Sequence, residues 1–355
     1  MKIDVRAVKN YSKLITKFVD TGHPQFSTLY LDFKEQRIYF GSNRGFGMLV
    51  MPVTDYDPKA KPFCVSALSF IAVAEATPLL DVEGFVFRHE SGDSFQIAHT
   101  AAEDFEVPNF GVDLSDATAL DEVYIPAIRR AGVFTTSDGA KNLDGIFVRD
   151  GHVFGLDGFR MYDEALPTND NLVLPRNVWE ILVLETLENP KIKIDEHCIW
   201  IVSADMNLQF PIDHDLSLPE EVGTDDFRAQ YQHKHSVRVS KNTLINYVQF
   251  FLPFVTEIVQ QRIQFIFNNA SLEIKTEDGN VISRHIAYSE PVDSYFNGRK
   301  IWVSALWIKN ILSCLPNGKD ATVEISVDFD KPPVKFSVVG DDAIHIVYSR
   351  IKDSV

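Results

Sequence analysis

Two similar stretches of sequence decide the fold: Val65-Ser-Ala-Leu68 followed by SFIAVAEATP, and Val303-Ser-Ala-Leu306 followed by WIKNILSCLP. Each follows a short segment rich in β-forming residues, KPFC or RKIW, and continues into an amphipathic helix that ends near a proline. A weaker copy, Leu172-Val-Leu-Pro175 followed by RNVWEILVLETLENP, lies between them. Three such copies along one chain indicate an internal repeat.

A second family of helices lies upstream of each copy. These helices begin near Val8, Tyr124 and Val239, roughly 115 residues apart. The segments between the helices, such as STLYLDF and SLEIKTE, alternate apolar and polar residues as half-buried strands do. The pattern predicts an α+β fold of three similar domains, each with two helices and about eight antiparallel strands.

The domain boundaries are expected in two polar stretches, 112–121 and 219–235. The second stretch, PEEVGTDDFRAQYQHKH, is charged and lacks apolar periodicity, which is typical of a linker. We therefore expect domains at 1–117, 118–228 and 229–355.

The composition is that of a globular protein. Of 355 residues, 45% are hydrophobic and 24% are charged. No apolar run reaches the roughly 18 residues that a spanning helix needs, and the start, MKIDVRAVKNYSKL, lacks the apolar core of a signal peptide. Cys64, Cys198 and Cys314 lie far apart, as reduced thiols of a cytoplasmic protein would.

Motifs of catalysis are missing from the sequence. It contains no P-loop, HExxH, GxSxG or metal-spaced Cys/His cluster. His233 and His235 flank a lysine, and Asp213-His-Asp215 is a polar triplet, but both are expected in solvated loops. The sequence predicts no enzymatic activity, no cofactor and no metal.

The formal charge of −16, from 34 basic and 50 acidic residues, argues against a protein that holds nucleic acid over its whole surface. Each helix of the family that begins near Val8, Tyr124 and Val239 nevertheless carries basic residues. Candidate DNA-facing side chains are Lys9, Lys13, Lys17, Arg129, Arg130, Arg176, Lys241 and Lys309. The alternative is that each belongs to an ordinary solvated helix face.

These features resemble the bacterial-type β sliding clamp of replicative DNA polymerases. Gly155-Leu-Asp-Gly-Phe-Arg-Met161 is similar to the family's T-D-G/S-H-R-L motif, with Asp157, Gly158 and Arg160 retained. Asn142-Leu-Asp-Gly-Ile146 resembles a family strand entry, and Ala102-Glu-Asp-Phe105 with the following Val-Pro-Asn-Phe110 resembles the end of its first domain. The other substitutions indicate a divergent member, which a phage or plasmid origin would explain.

The resemblance implies a homodimeric ring of six domains, with helices lining the hole and sheets outside. Such a ring encircles double-stranded DNA without reading its sequence, and binds DNA polymerase and clamp-loader peptides. An acidic outer surface is then expected, because a few inward-facing cations are enough for a loose collar.

The resemblance also implies a peptide pocket and a subunit interface. The pocket residues would be Leu143, Leu156, Gly158, Phe159, Arg160 and Met161, together with Ile346, Val347, Tyr348, Ser349 and Arg350 of the last strand. The interface residues would be Phe95, Ile97, Phe254 and Val255. Ordinary core packing is the alternative for each position.

Two other functions stay open on the sequence alone. A clamp-fold scaffold or decoy would bind protein partners without encircling DNA, and the altered pocket motif and sparse cations favour it slightly. An enzyme with an unrecognised site is the third hypothesis, which the missing motifs disfavour.

Overall fold

The order of elements repeats three times along the chain. Each repeat runs strand, helix, three-strand meander, lone strand, helix and second three-strand meander. The computed structural model describes residues 1–102, 105–120, 123–135, 143–168, 170–184, 187–255, 262–276, 282–318, 320–331 and 333–349. Within these residues it contains eight α-helices and 26 strands.

The first repeat carries two strands beyond the shared plan, β5 and β10. Its elements are β1 (Lys2–Asp4), α1 (Arg6–Asn10), α2 (Ser12–Phe18), β2 (Thr28–Asp32), β3 (Arg37–Ser42), β4 (Gly45–Val50), β5 (Val53–Thr54), β6 (Phe63–Ser66), α3 (Ala67–Ala76), β7 (Leu79–Glu83), β8 (Val86–Arg88), β9 (Ser94–Gln96) and β10 (His99–Ala101). The first helix of the repeat is interrupted at Tyr11, so it appears as α1 and α2.

The second repeat follows the shared plan without extra strands among the residues described. Its elements are β11 (Thr118–Ala119), α4 (Tyr124–Gly132), β12 (Gly145–Arg149), β13 (His152–Leu156), β14 (Arg160–Ala165), β15 (Leu172–Pro175), α5 (Arg176–Leu182), β16 (Lys191–Ile194), β17 (Cys198–Ser203) and β18 (Met206–Pro211). A short helix, α6 (Asp225–Ala229), then lies in the segment before the third repeat.

The third repeat ends the described chain. Its elements are β19 (Ser236–Ser240), α7 (Lys241–Phe251), β20 (Arg262–Phe267), β21 (Ser271–Lys275), β22 (Ser283–Ala287), β23 (Arg299–Ser304), α8 (Ala305–Cys314), β24 (Thr322–Val327), β25 (Pro333–Val338) and β26 (Asp341–Ser349). Single 3-10 turns lie at Gln25–Ser27, Leu252–Phe254 and Ser294–Phe296.

The recurring Val-Ser-Ala-Leu stretch begins a helix in both of its copies. Ser304 is the N-cap of α8, where its hydroxyl accepts the Trp307 N–H at 3.3 Å. Ser66 occupies the same position before α3 but makes no side-chain cap hydrogen bond. Both helices bury one apolar face, including Phe70 in α3 and Ile308 in α8, as the sequence predicts.

The chain divides into two units, Met1–Ile125 with Glu180–Asp213, and Pro126–Trp179 with His214–Val355. The first unit holds a five-stranded sheet, β5-β1-β7-β8-β9, and a nine-stranded sheet, β10-β6-β2-β3-β4-β18-β17-β16-β11. The second unit holds an eight-stranded sheet, β15-β12-β13-β14-β26-β25-β24-β19, and a four-stranded sheet, β22-β21-β20-β23.

Two of these sheets continue from one repeat into another. In the first unit β4 pairs antiparallel with β18, with Leu49 opposite Met206. In the second unit β14 pairs antiparallel with β26, with Met161 opposite Val347. Both junctions follow one rule. The last strand of the first meander in one repeat pairs with the last strand of the second meander in the next repeat, so neither of these strands is left as an open edge.

Candidate functional site

The turn between β13 and β14 holds the residues of the sequence motif. The Asp157 carboxylate accepts the backbone N–H groups of Phe159 at 2.9 Å and Arg160 at 2.6 Å. It also pairs with the Arg160 guanidinium, whose Nε lies 2.7 Å from Asp157 Oδ2. Gly158 has a φ of +84°, which a side chain would strain. Asp157, Gly158 and Arg160 therefore have a structural reason to be retained.

One face of β14 and β26 carries an apolar cluster, which we call the β14 cluster. Its buried members are Phe147, Phe154, Leu156, Met161, Leu216, Val222 and Val347. Half-buried side chains packed against them are Leu143, Leu218, Phe227 and Tyr231. Four of the sequence-predicted pocket residues, Leu143, Leu156, Met161 and Val347, thus lie together.

The opposite face of the same strands packs on helices, because successive strand residues point to opposite sides. Arg160 is 9% exposed, and its guanidinium carbon lies 5.1 Å from the Trp307 ring centre. Tyr348 is fully buried and accepts the Ser304 N–H at 3.1 Å. Burial raises the pKa of Tyr348 to about 12. The predicted pocket set is therefore divided between two faces.

The remaining predicted pocket residues have distinct positions. Ile346 is fully buried and shares the face of Tyr348. Phe159 is 61% exposed at the turn, with its ring 5.9 Å from that of Trp307. Ser349 ends β26, and Arg350 lies outside the described residues.

Sequence reasoning missed the contribution of the segment before the third repeat, which it treated as a linker. Val222 of this segment is buried, and the connection continues into α6, where the Thr224 hydroxyl accepts the Phe227 N–H at 3.2 Å. Phe227 and Tyr231 both pack on the β14 cluster, and burial raises the pKa of Tyr231 to about 12. A capping threonine followed by two aromatic residues four positions apart was the available signal.

An ion-pair network also attaches this segment to the sheet. Asp163 of β14 is 2% exposed and accepts hydrogen bonds from two side chains. Arg228 Nε lies 3.2 Å from Asp163 Oδ2, and His152 Nδ1 lies 2.6 Å from Asp163 Oδ1. The segment is thus held by apolar and charged contacts together.

The candidate DNA-facing residues separate into two groups. Lys9, Lys13 and Lys17 are exposed on α1 and α2, and Arg129 is exposed on α4. Lys17 Nζ lies 3.8 Å from a Glu180 carboxylate oxygen, a distance typical of a weak surface pair. The three lysine side chains are accessible to an external anion or to solvent.

The other candidates are held or covered by the protein itself. Arg130 donates to Glu164 at 2.5 Å and, through Nε, to Tyr162 Oη at 2.8 Å. Arg176 Nε lies 2.9 Å from Asp144 Oδ1. Lys309 is half-buried on α8.

Lys241 corrects the sequence expectation outright. It is 2% exposed, and its Nζ donates to the carbonyl oxygens of Leu315 at 2.7 Å and Pro316 at 3.1 Å. A third bond, of 2.6 Å, goes to the Asn317 side chain. Burial lowers the pKa of this amine. Because its ammonium is buried against the chain just beyond α8, Lys241 cannot face DNA. The sequence could not show this, since a lysine near a helix start gives the same pattern whether it points outward or inward.

The candidate interface residues lie on or near two outer strands, one in each unit. In the first unit β9 is the outer strand of its sheet, with Phe95 opposite Phe87. Phe95 is half-buried, whereas Ile97, just beyond β9, is buried.

In the second unit β22 is the outer strand of its sheet, and exposed aromatic rings lie near it. Phe254 is 39% exposed and its ring lies 5.3 Å from that of Phe250. The Arg284 guanidinium of β22 lies 4.8 Å from the Phe250 ring centre. Val255 is buried.

Solved structures resemble the whole chain at low sequence identity. The DNA polymerase sliding clamp from Bacillus subtilis has a TM-score of 0.80 and 14% identity, with 100% of each chain covered. The DNA polymerase III β subunit from Thermotoga maritima has a TM-score of 0.79 and 14% identity, covering 99% of both chains. The Helicobacter pylori β clamp bound to a DNA ligase peptide has a TM-score of 0.76 and 14% identity, covering 99% of this chain and 100% of that one.

This chain has the fold of the bacterial β sliding clamps. The resemblance predicted from the sequence and the three-repeat α+β architecture are confirmed at the level of fold. No protein-family model matches the sequence, and no curated protein matches it significantly. The clamp fold is therefore retained here by a strongly divergent sequence.

The described part of this clamp-fold chain shows neither a metal cluster nor a membrane-spanning helix. Within the described ranges, no group of three or more His, Cys, Asp or Glu side chains could hold a metal ion. None of the helices within the described ranges is long and apolar enough to cross a membrane.

Proposed function

We propose that this protein is a DNA sliding clamp: a closed ring that encircles duplex DNA and tethers a replicative polymerase. The proposal rests on a third junction between repeats, which would follow the same rule as the two within the chain but would need a second copy to form. Two junctions, β4–β18 and β14–β26, already join successive repeats by one rule. The same rule assigns β22, the third strand of the third repeat's first meander, to β9, the third strand of the first repeat's second meander.

Neither strand has that partner within the chain. Among the described strands β9 pairs only with β8, and β22 pairs in a ladder only with β21. A second copy can provide both missing edges at once, so a head-to-tail dimer would close every junction. Pairing the five-stranded and four-stranded sheets across the contact would produce a nine-stranded sheet, like the one that already spans β10 to β11.

The interface proposal has a direct test by light scattering. We expect a particle of about 80 kDa, twice the 40.2 kDa of one chain. Phe254→Asp should yield monomer, because a charge would replace an exposed apolar ring beside β22. Phe159→Asp is the matched control and should leave the dimer intact. A wild-type monomer at micromolar concentration would refute the closed dimer.

The ring proposal is tested on DNA. Protein assembled on nicked circular DNA should stay bound through gel filtration and be released when the DNA is linearised, because a collar is held topologically. Equal retention before and after linearisation would contradict encirclement. The exposed Lys9, Lys13, Lys17 and Arg129 are the proposed contacts to phosphate, and none of them needs to read a base.

We further propose that the β14 cluster is the peptide site for polymerase and loader partners. The Helicobacter pylori β clamp, similar in fold, was solved with a DNA ligase peptide bound. Leu218, Phe227 and Tyr231 are half-buried at the edge of a buried apolar cluster, which suits the side-chain anchors of an extended peptide. No catalytic group is required for this tethering role.

The peptide proposal can be tested with that ligase peptide as the probe. Phe227→Ala and Tyr231→Ala should each weaken binding by about tenfold, because each removes an aromatic contact from the proposed binding surface. Val173→Ala, which changes an exposed valine outside the cluster, is the control. Undiminished binding to both aromatic variants would contradict the assignment.

A further inference from the structure

A cavity of about 890 Å³ lies in the first repeat, within the first unit. It is bounded by the segment that precedes β6, by β10 and by the β7–β8 turn. The strand β10 has no counterpart in the other two repeats among the residues described. The cavity therefore belongs to an elaboration of this repeat, separate from the β14 cluster and from the proposed interface residues.

The walls of the cavity are aromatic. Phe63 is central, with its ring 5.4 Å from Phe33 and 5.0 Å from Phe85, the second contact being edge to face. Phe85 in turn stacks on His99, with ring centres 3.7 Å apart and planes at 13°. Such walls favour a planar aromatic guest, which can stack or contact ring edges.

Phe85 remains 44% exposed although it is a large apolar side chain. The tight turn after β7 places it there: Glu83 pairs with Val86, so Gly84 and Phe85 are the two central turn residues. Gly84 has a φ of +61°, which turns with glycine at the first central position require. A rigid hairpin thus presents the ring at the mouth of the cavity.

The charged residues that line the cavity differ in whether they have a partner within the chain. Glu83 pairs with Arg88 at 2.5 Å, and the Asp57 carboxylate accepts the Lys59 backbone N–H at 2.9 Å. Lys59 and Lys61 are exposed, and within the described chain neither ammonium forms an ion pair. With Glu83 paired to Arg88, two lysines against the single Asp57 carboxylate leave this cavity with a net positive charge, which is complementary to an anion and contrasts with the net charge of −16 of the chain.

We infer that this cavity is a binding site for a small aromatic anion. The aromatic ring of the ligand lies among Phe33, Phe63 and Phe85, and its carboxylate, sulfonate or phosphate group lies at Lys59 and Lys61. The volume falls within the roughly 300–1,000 Å³ of small-molecule sites. Lysine suits the role because it offers a compact charge on a flexible stem, without demanding one anion geometry.

The test uses the full-length protein and the probe 8-anilinonaphthalene-1-sulfonate, whose fluorescence rises in an apolar site. We expect saturable binding with one dominant site. Lys59→Gln/Lys61→Gln should raise the dissociation constant about fivefold, since each exposed pair contributes only modestly. Ala60→Trp, which fills the cavity from a loop, should raise it by at least about tenfold.

Matched variants distinguish this cavity from other surfaces that could take up the probe. Lys34→Gln/Lys300→Gln removes two exposed lysines elsewhere and should leave binding unchanged, as should Phe227→Ala in the β14 cluster. Circular dichroism melts establish that each variant is folded. Absence of saturable binding by wild type, equal binding by Ala60→Trp, or loss of binding only in Phe227→Ala would each overturn the inference.

Discussion

The lysines of the first and third repeats lie on equivalent helices but are used in opposite ways. Lys9, Lys13 and Lys17 extend from α1 and α2 into solvent. Lys241, the first residue of α7, is buried and donates to three oxygens just beyond α8. The first three leave their charge exposed to solvent, whereas Lys241 joins the start of α7 to the chain just beyond α8. A cation on a helix of this fold is therefore not in itself a DNA contact.

The largest expected effect tests the buried side of this comparison. Lys241→Met should lower the free energy of unfolding by about 3 kcal/mol, because it leaves the buried Leu315 carbonyl oxygen and the less buried oxygens of Pro316 and Asn317 without this donor. Lys13→Met should change it by less than about 0.5 kcal/mol. Chemical denaturation of both variants measures the difference. Equal losses of unfolding free energy in the two variants would contradict the difference between buried and exposed lysines.

Arg130 tests an intermediate case, because its side chain is 30% exposed while that of Glu164 is only 9% exposed. Arg130→Met should cost about 2 kcal/mol, mainly by leaving Glu164 without its cation. Adding Glu164→Gln should recover part of the loss. A double-mutant cycle by urea denaturation measures this coupling, and strictly additive losses would contradict the pair's importance.

The exposed lysines should affect DNA binding rather than stability. Lys9→Gln/Lys13→Gln/Lys17→Gln should weaken binding to duplex DNA and flatten its salt dependence, by about 0.9 in the log–log slope for each phosphate that is no longer neutralised. Titrations at several salt concentrations measure the slope, and the melting temperature should stay unchanged. An unaltered slope would show that these lysines do not contact phosphate.

The smallest effect is a pH dependence at His233, which precedes β19 and whose Nε2 lies 3.1 Å from the Pro333 carbonyl oxygen. Burial lowers its pKa below the ordinary 6.5. As the pH falls from about 6.5 towards the folded-state pKa, the unfolded chain binds the proton first, so stability declines. His233→Gln should reduce this decline, measured as unfolding free energy between pH 7 and 5.

The exposed His23 provides the control for this measurement. His23→Gln should leave the pH profile of wild type unchanged. Identical acid profiles in wild type and His233→Gln would contradict the role given to burial.

Much of the fold was predictable because it rests on local patterns. The Val-Ser-Ala-Leu stretches predict α3 and α8, and the alternating segments predict the meanders, since helices and half-buried strands leave periods of 3.6 and 2 in the sequence. The β14 pocket residues were predictable only in part. Consecutive motif residues such as Arg160 and Met161 point to opposite faces of a strand, and only the pairing with β26 determines what each face meets.

The sequence by itself determined the three-fold repeat and the helix and strand types, because these depend on neighbours within a few residues. Only the tertiary structure decided that Lys241 is buried, that the charged segment around α6 packs on the β14 cluster, and that β9 and β22 are the outer strands of their sheets among the residues described. Those outcomes depend on contacts between residues distant in the chain, and their free energies are set by burial and partner geometry.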